Sequence, residues 1–186
     1  LYTLNDGGNP SEIYQIDPST GKIKQTIKIP LQNKDWEALD FSDQDLFIGD
    51  FGNNTGTRKD LKIYKLPIHN QTIAVDSVQT YSYYYPEQKD FSPKNLNTDY
   101  DAEAMIFLNG KLHIFTKEWA SKSCTHYLID STITILQPAV KLEQYHTGFV
   151  VTDAAYFRSK LYLLGYTKTT GAYLMIFRES EAGMFF

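Results

Sequence analysis

Two acidic residues recur at one distance from an aromatic ring: Glu37 stands four residues before Phe41, and Glu103 four residues before Phe107. Asp153, four residues before Phe157, extends the spacing to a third copy. Asp35 and Asp101 precede the two glutamates by two positions, where the third copy carries Val151. Residues two or four apart share one face of an extended strand. Three such strands around a common axis would point Glu37, Glu103 and Asp153 toward one channel mouth. Carboxylates that converge in a partly dry channel repel one another, and burial penalises each charge further. Either their pKa values rise or a cation sits among them. An all-oxygen set suits a hard divalent ion, and Ca2+ tolerates the irregular geometry a channel imposes. The candidate metal ligands are therefore Glu37, Glu103, Asp153, Asp35, Asp101 and Asp50, with Asn5, Asp6, Asn53 and Asn54 expected on the same rim. The alternative is that each acid accepts backbone N–H bonds from a neighbouring strand and binds nothing.

A second group of residues is expected around the same mouth. The loops that open there carry Arg58 and Lys59, then Lys117 with Trp119, then Tyr166 with Lys168. Of these, Arg58, Lys117, Trp119, Tyr166 and Lys168 could hold a small anionic or sugar-like ligand, or a protein partner; the other reading is a solvated loop face. No GxSxG elbow, P-loop or HExxH occurs. His69, His113, His126 and His146 lack ligand spacing and read as structural residues. The lone Cys124 excludes an internal disulfide and a cysteine-based zinc site, and it reads as a small buried residue. Asn53-Asn54-Thr55 and Asn70-Gln71-Thr72 match the glycosylation pattern, which short polar loops also produce by chance.

The elements that must position these groups are short strands. DWEALDFSDQDLFIGD (Asp35 to Asp50) reads as two strands around a tight turn, and it is repeated as DAEAMIFLNGKLHIFTK from Asp101 and VTDAAYFRSKLYLLGY from Val151. The second strands align from Leu1, Leu46, Leu112 and Leu161, at intervals of roughly 45 to 65 residues, a repeat length typical of propeller blades. Third strands follow as EIYQID, LKIYKLP, THYLID and AYLMIF. Fourth strands follow as KIKQTIKIP, SVQTYSYYYP and part of AVKLEQYHT, with DPSTGK, SDQD and LNGK as turn punctuation. The expected fold is an all-β β-propeller of four-stranded antiparallel blades, in a single domain. Blade 1 covers 1–30, blade 2 35–86, blade 3 101–147 and blade 4 150–178, with a polar insertion over 87–100. These units hold three, four, four and three strands, about 3.5 blades, and the expectation is an arc of a larger, six-bladed ring. Aromatic content of 15%, led by Tyr, agrees with pleated packing. In the YSYYYP run from Tyr81 to Pro86, blade packing is the favoured role.

A net charge of −4 supplies no basic field for nucleic acid, and no apolar run approaches the roughly 18 residues of a membrane helix. The segments DWEALDF, IGDFGNN with TRKDLKIYKLP, DAEAMIF and LHIFTKEW resemble uncharacterised bacterial secreted propellers with a repeated acid-rich first strand. More distantly they are similar to esterase-like phytases and to lactonase-type six-bladed propellers. The resemblance implies an extracytoplasmic protein (periplasmic, secreted or lipid-anchored) and a channel calcium ion, with Glu37 and Glu103 where its acids would be expected. Two function classes stay open: a non-catalytic ligand- or protein-binding propeller with a calcium site at the channel mouth, and a calcium-dependent hydrolase of lactonase or phosphoesterase type.

Overall fold

The computed structural model of the chain describes residues 1–70 and 72–186; Gln71, the middle of the second glycosylation pattern, lies outside them. The chain forms β1 (Tyr2–Leu4), β2 (Glu12–Ile16), β3 (Ile23–Lys28), β4 (Trp36–Phe41), β5 (Asp45–Asp50), β6 (Leu61–His69), β7 (Thr72–Ile73) and β8 (Gln79–Tyr84). These are followed by β9 (Asp101–Leu108), β10 (Lys111–Lys117), β11 (Cys124–Ile129), β12 (Gln137–Pro138), β13 (Val140–Tyr145), β14 (Val150–Tyr156), β15 (Lys160–Thr167) and β16 (Gly171–Arg178). Among the described residues there is no helix, and hence none long and apolar enough to cross a membrane.

The strands make four successive antiparallel sheets, the blades of a β-propeller: β1-β2-β3, β4-β5-β6-β8, β9-β10-β11-β13 and β14-β15-β16. Two short strands went unread in the sequence. β7 folds back on the end of β6, and β12 joins the outer edge of β8 in parallel, pairing Gln137 with Tyr83 and Pro138 with Tyr84. A piece of the third blade thus covers the open edge of the second, which protects it from pairing elsewhere.

Each interior blade is apolar on both faces, so its middle strands read as unbroken hydrophobic runs. In β5, Leu46 and Ile48 pack toward the first blade with Ile13, Trp36 and Leu66, while Phe47 packs toward the third. In β10, Leu112 and Ile114 face the second blade, and Phe115 faces the fourth beside Phe149, Val151 and Leu163. Tyr81, Tyr83 and Tyr85 are buried between the second and third blades, whereas Tyr84 points outward, so the tyrosine run is packing on one face. The far face of the fourth blade differs. Leu164, Leu174 and Ile176 remain exposed there, on a surface of the kind that a neighbour covers in the other interfaces.

Residues 85–100 form no strand, as the polar insertion suggested. They cross the rim instead. Lys94 and Leu96 donate backbone N–H bonds to Thr55 and Asn54 in the second blade's loop, and Thr98 accepts one from Trp119 in the third.

Phe47 stacks on Phe107 at 4.4 Å between ring centres and is fully buried. Truncating it removes an interlocking contact between two blades. Phe47→Ala is expected to cost about 3–5 kcal/mol in denaturant unfolding, the range for a buried aromatic cavity.

Candidate functional site

The first strands of the second, third and fourth blades, β4, β9 and β14, lie side by side. Each carries one extra residue relative to its partner. The ladder skips Glu37 between Trp36 and Ala38, Glu103 between Ala102 and Ala104, and Thr152 between Val151 and Asp153. Such bulges bend the strand and re-aim a side chain. Two of the three expected equivalents therefore match, and the third needs correction. Tyr156 pairs with Leu161 as Phe41 pairs with Leu46 and Phe107 with Leu112, so Phe157 is one residue out of register. Thr152, not Asp153, occupies the bulge position. Asp153 instead adds repulsion to Asp40, whose carboxyl is raised mainly by burial and accepts the Phe107 N–H.

At the mouth, Glu37 meets Asp35 and Asp6, with one carboxylate oxygen from each lying within 4.8 Å of the others. Asp6 reaches this place because Asn33 donates to the backbone oxygens of Asn5 and Asp6, at 3.1 and 3.0 Å, while its own side-chain oxygen accepts the Trp36 N–H. One amide thus fixes the end of the first blade against the start of the second. Gly7 and Gly52 close the site from two sides. A Cβ on Gly52 would lie 2.4 Å from Asp35 Oδ2 and 2.5 Å from Glu37 Oε1, and one on Gly7 would lie 2.2 Å from Asp35 Oδ1. The cradle fits carboxylates only because both positions lack side chains.

The electrostatics follow from crowding. Burial, reinforced by Glu103, Asp6 and Asp35, pushes the Glu37 carboxyl up to about 10. Burial and Asp6 raise Asp35 to about 6, with Arg58 partly opposing them. No cationic side chain pairs with Asp6, Asp35 or Glu37 among the described residues.

The other expected ligands have partners. Asp50 is buried in an ion pair with Arg58 at 2.9 Å and accepts the Asp35 N–H. Asp101 accepts bonds from the Asn53 and Ala102 N–H groups and from the Trp119 indole, at 2.6, 3.0 and 2.8 Å. That is the backbone-bonded role weighed for these acids. Glu103 is raised by burial but is paired with Lys117.

The expected ligand-contacting residues also divide. Arg58 is largely buried, pairing with Asp50 and Asp60 and donating to the Gly52 oxygen at 2.9 Å, so it fastens its own loop. Lys117, Trp119, Tyr166 and Lys168 do gather. The Lys117 ammonium lies 4.5 Å from the centre of the Trp119 ring and 5.6 Å from that of Tyr166, and the Lys168 ammonium lies 5.6 Å from Trp119.

Sequence spacing missed Asn33, whose function depends on a contact between blades. It also missed a buried histidine pair. His113 Nδ1 and His126 Nε2 are 2.8 Å apart, and His126 Nδ1 is 2.9 Å from Glu143 Oε1. Glu143 in turn accepts the Phe185 and Phe186 N–H groups, at 2.8 and 3.0 Å. Burial lowers both imidazoles, His113 to about 4. The relay anchors the last residues against the third blade.

No known protein family matches the sequence, and no curated protein does. Solved structures of propeller type resemble it in fold. One is a protein from Bacteroides uniformis ATCC 8492 provisionally assigned as a 6-phosphogluconolactonase, 13% identical, aligned over 97% of this chain and 50% of its own, with a TM-score of 0.47. Another is BamB from Moraxella catarrhalis, 9% identical over 90% of this chain and 38% of its own, with a TM-score of 0.38. The chain spans half the length of the first and less of the second.

Asp35 and Glu37 have folded-state pKa values above their unfolded ones, so their contribution to stability is full below about pH 4 and is lost as pH rises. The unfolded chain gains solvated charge near pH 4–4.5, whereas the fold must ionise Asp35 near 6 and Glu37 near 10. In chelator, the melting temperature is expected to fall steadily between about pH 5 and 9. Glu37→Gln should flatten the upper part of that slope, and thermal melts across the pH series check it.

Proposed function

We propose that the protein is a binding propeller whose channel mouth holds a calcium ion between Asp6, Asp35 and Glu37 and presents the adjoining rim to a ligand. The observation that carries this reading is the trio itself: three carboxylates within coordinating reach, two of them half-buried, and among the described residues no basic side chain paired to them. A dication would offset the burial and the carboxylate repulsion that raise Glu37, and the absence of side chains at Gly7 and Gly52 is what lets the carboxylates approach. Asp6 is exposed, so water would complete the shell. An open site with three protein carboxylates suits the weak calcium affinities of extracellular modules, which favours a place outside the cytoplasm.

A second reading rests on a different observation. Neighbouring carboxyls whose environments separate their pKa values, as with Asp35 near 6 and Glu37 near 10, are arranged as a base and an acid. That supports a calcium-dependent hydrolase of lactonase or phosphoesterase type, with Glu37 and Glu103 beside the reacting group.

Melting at pH 7.5 with excess calcium or excess chelator tests the first reading. At a hundredfold excess over Kd, calcium adds about 2.7 kcal/mol of stability. For a chain of this length that corresponds to a rise of about 5–10 °C. Glu37→Gln should lose most of the rise, and equal melting in both solutions would remove the calcium site. Calcium-dependent turnover of lactones or phosphate esters, abolished by Glu37→Gln or Glu103→Gln, would move the assignment to the hydrolase.

A further inference from the structure

Beside the acidic mouth, a cavity of about 270 Å³ opens between the loop after β10 and the turn joining β15 to β16. Trp119, Val150, Tyr166 and Leu96 give it apolar and aromatic walls, and Lys122 and Lys168 stand at its edge with Thr167 and Thr169. No residue lining it is acidic. This is the opposite of the neighbouring mouth, where Asp6, Asp35 and Glu37 crowd with no basic side chain paired to them among the described residues.

The two lysines are not spent on ion pairs. Among the described residues, neither Lys122 nor Lys168 has a carboxylate within 4 Å. Their ammonium groups lie 5.5 and 5.6 Å from the centre of the Trp119 ring, and Lys122 donates to the Trp119 backbone oxygen. The ring itself is held. Its indole N–H is shared between Asp101 Oδ2 at 2.8 Å and Asn54 Oδ1 at 3.2 Å, and its backbone N–H is bonded to the insertion at Thr98. A fixed aromatic face flanked by unpaired ammonium groups and hydroxyls is pre-organised for a molecule that is flat or ring-shaped at one end and anionic at the other.

We infer that this cavity binds a small ring-bearing oxyanion, a phosphorylated or carboxylated sugar-sized molecule, with its ring against Trp119 and Tyr166 and its anionic group between Lys122 and Lys168. The inference names the ligand class for the rim of the binding propeller proposed above, and it rests on that reading only for its biological sense. The cavity and the acidic mouth meet through Lys117, which pairs with Glu103 and lies over Trp119 and Tyr166, and through Asp101, which accepts the Trp119 indole, but they share no lining residue. Calcium binding and anion binding are therefore separable in experiment.

Tryptophan fluorescence provides the readout, because Trp36 is fully buried in another interface and Trp119 lines the cavity. The protein is titrated with glucose 6-phosphate, glucuronate and glucose, each in calcium and in excess chelator. Saturable quenching is expected with at least one of the two anions, which identifies phosphate or carboxylate as the preferred group, while glucose binds at least tenfold more weakly. Lys168→Glu, on an exposed turn, should weaken the anion at least tenfold, and Lys122→Gln should do so independently. Near-UV circular dichroism confirms that each variant is folded. Lack of saturation by both anions, glucose binding as tight as theirs, or unchanged affinity in both folded variants would overturn the inference. Anion binding that survives in chelator, in a protein showing no calcium-induced rise in melting temperature, would leave the cavity assignment standing while the calcium reading fails.

Discussion

Burial of both faces of each interior blade is the constraint from which the rest follows. Leu112 and Ile114 on one face of β10 and Phe115 on the other are all apolar, where a one-sided sheet would give one of the two faces to polar residues. Polar chemistry is then confined to strand ends, to loops and to positions where the ladder is broken. The bulges at Glu37 and Glu103 are such positions. An inserted residue in the innermost strand leaves the pleat alternation, so its side chain can be acidic without displacing an apolar contact between blades.

The same constraint sorts charge around the rim. On the side of the first two blades, Asp6, Asp35 and Glu37 have no basic partner among the described residues, and burial raises the last two. On the side of the third and fourth blades, Lys122 and Lys168 have no acidic one among the described residues. Glu103 and Lys117 form the boundary, each neutralising the other. Two groups of like charge held apart by one ion pair give the rim an acidic and a basic region within a few side chains. Water screens such a separation poorly where the groups are partly buried.

Much of the architecture was legible because blade strands obey local rules: alternating apolar residues, Gly, Asn and Asp at turns, and repeated second strands beginning with Leu. Glu37 and Glu103 could be matched because their flanking residues are nearly identical. Asp153 could not, since the fourth blade offers both Tyr156 and Phe157 as the aromatic landmark and only hydrogen-bond register chooses between them. Asp6 was expected on the rim but not as a partner of Asp35 and Glu37, and Asn33 and the His113–His126–Glu143 relay were hidden, for a related reason. Their partners lie in other strands or blades, and no periodicity within a strand encodes those distances. Asp50 and Arg58 show the converse: residue types suited to a site that long-range geometry joins to each other.

The insertion at 87–100 completes this division of labour. It spends backbone bonds on Thr55, Asn54 and Trp119, all at the rim, and so ties the loop that carries Arg58 to the loop that carries Trp119. Asp99 adds a cap on the Ala120 and Ser121 N–H groups. A surface excursion of this length adds little loop-closure entropy over a short turn, and here its bonds order two loops at once. Asp101, the first residue after it, accepts the Trp119 indole and the Asn53 N–H together. One carboxylate thereby joins the end of the insertion, the second blade's loop and the aromatic wall of the cavity. That explains why an acid of the repeated motif is buried with hydrogen-bond donors while its counterpart Asp35, with Gly7 and Gly52 beside it, faces the mouth.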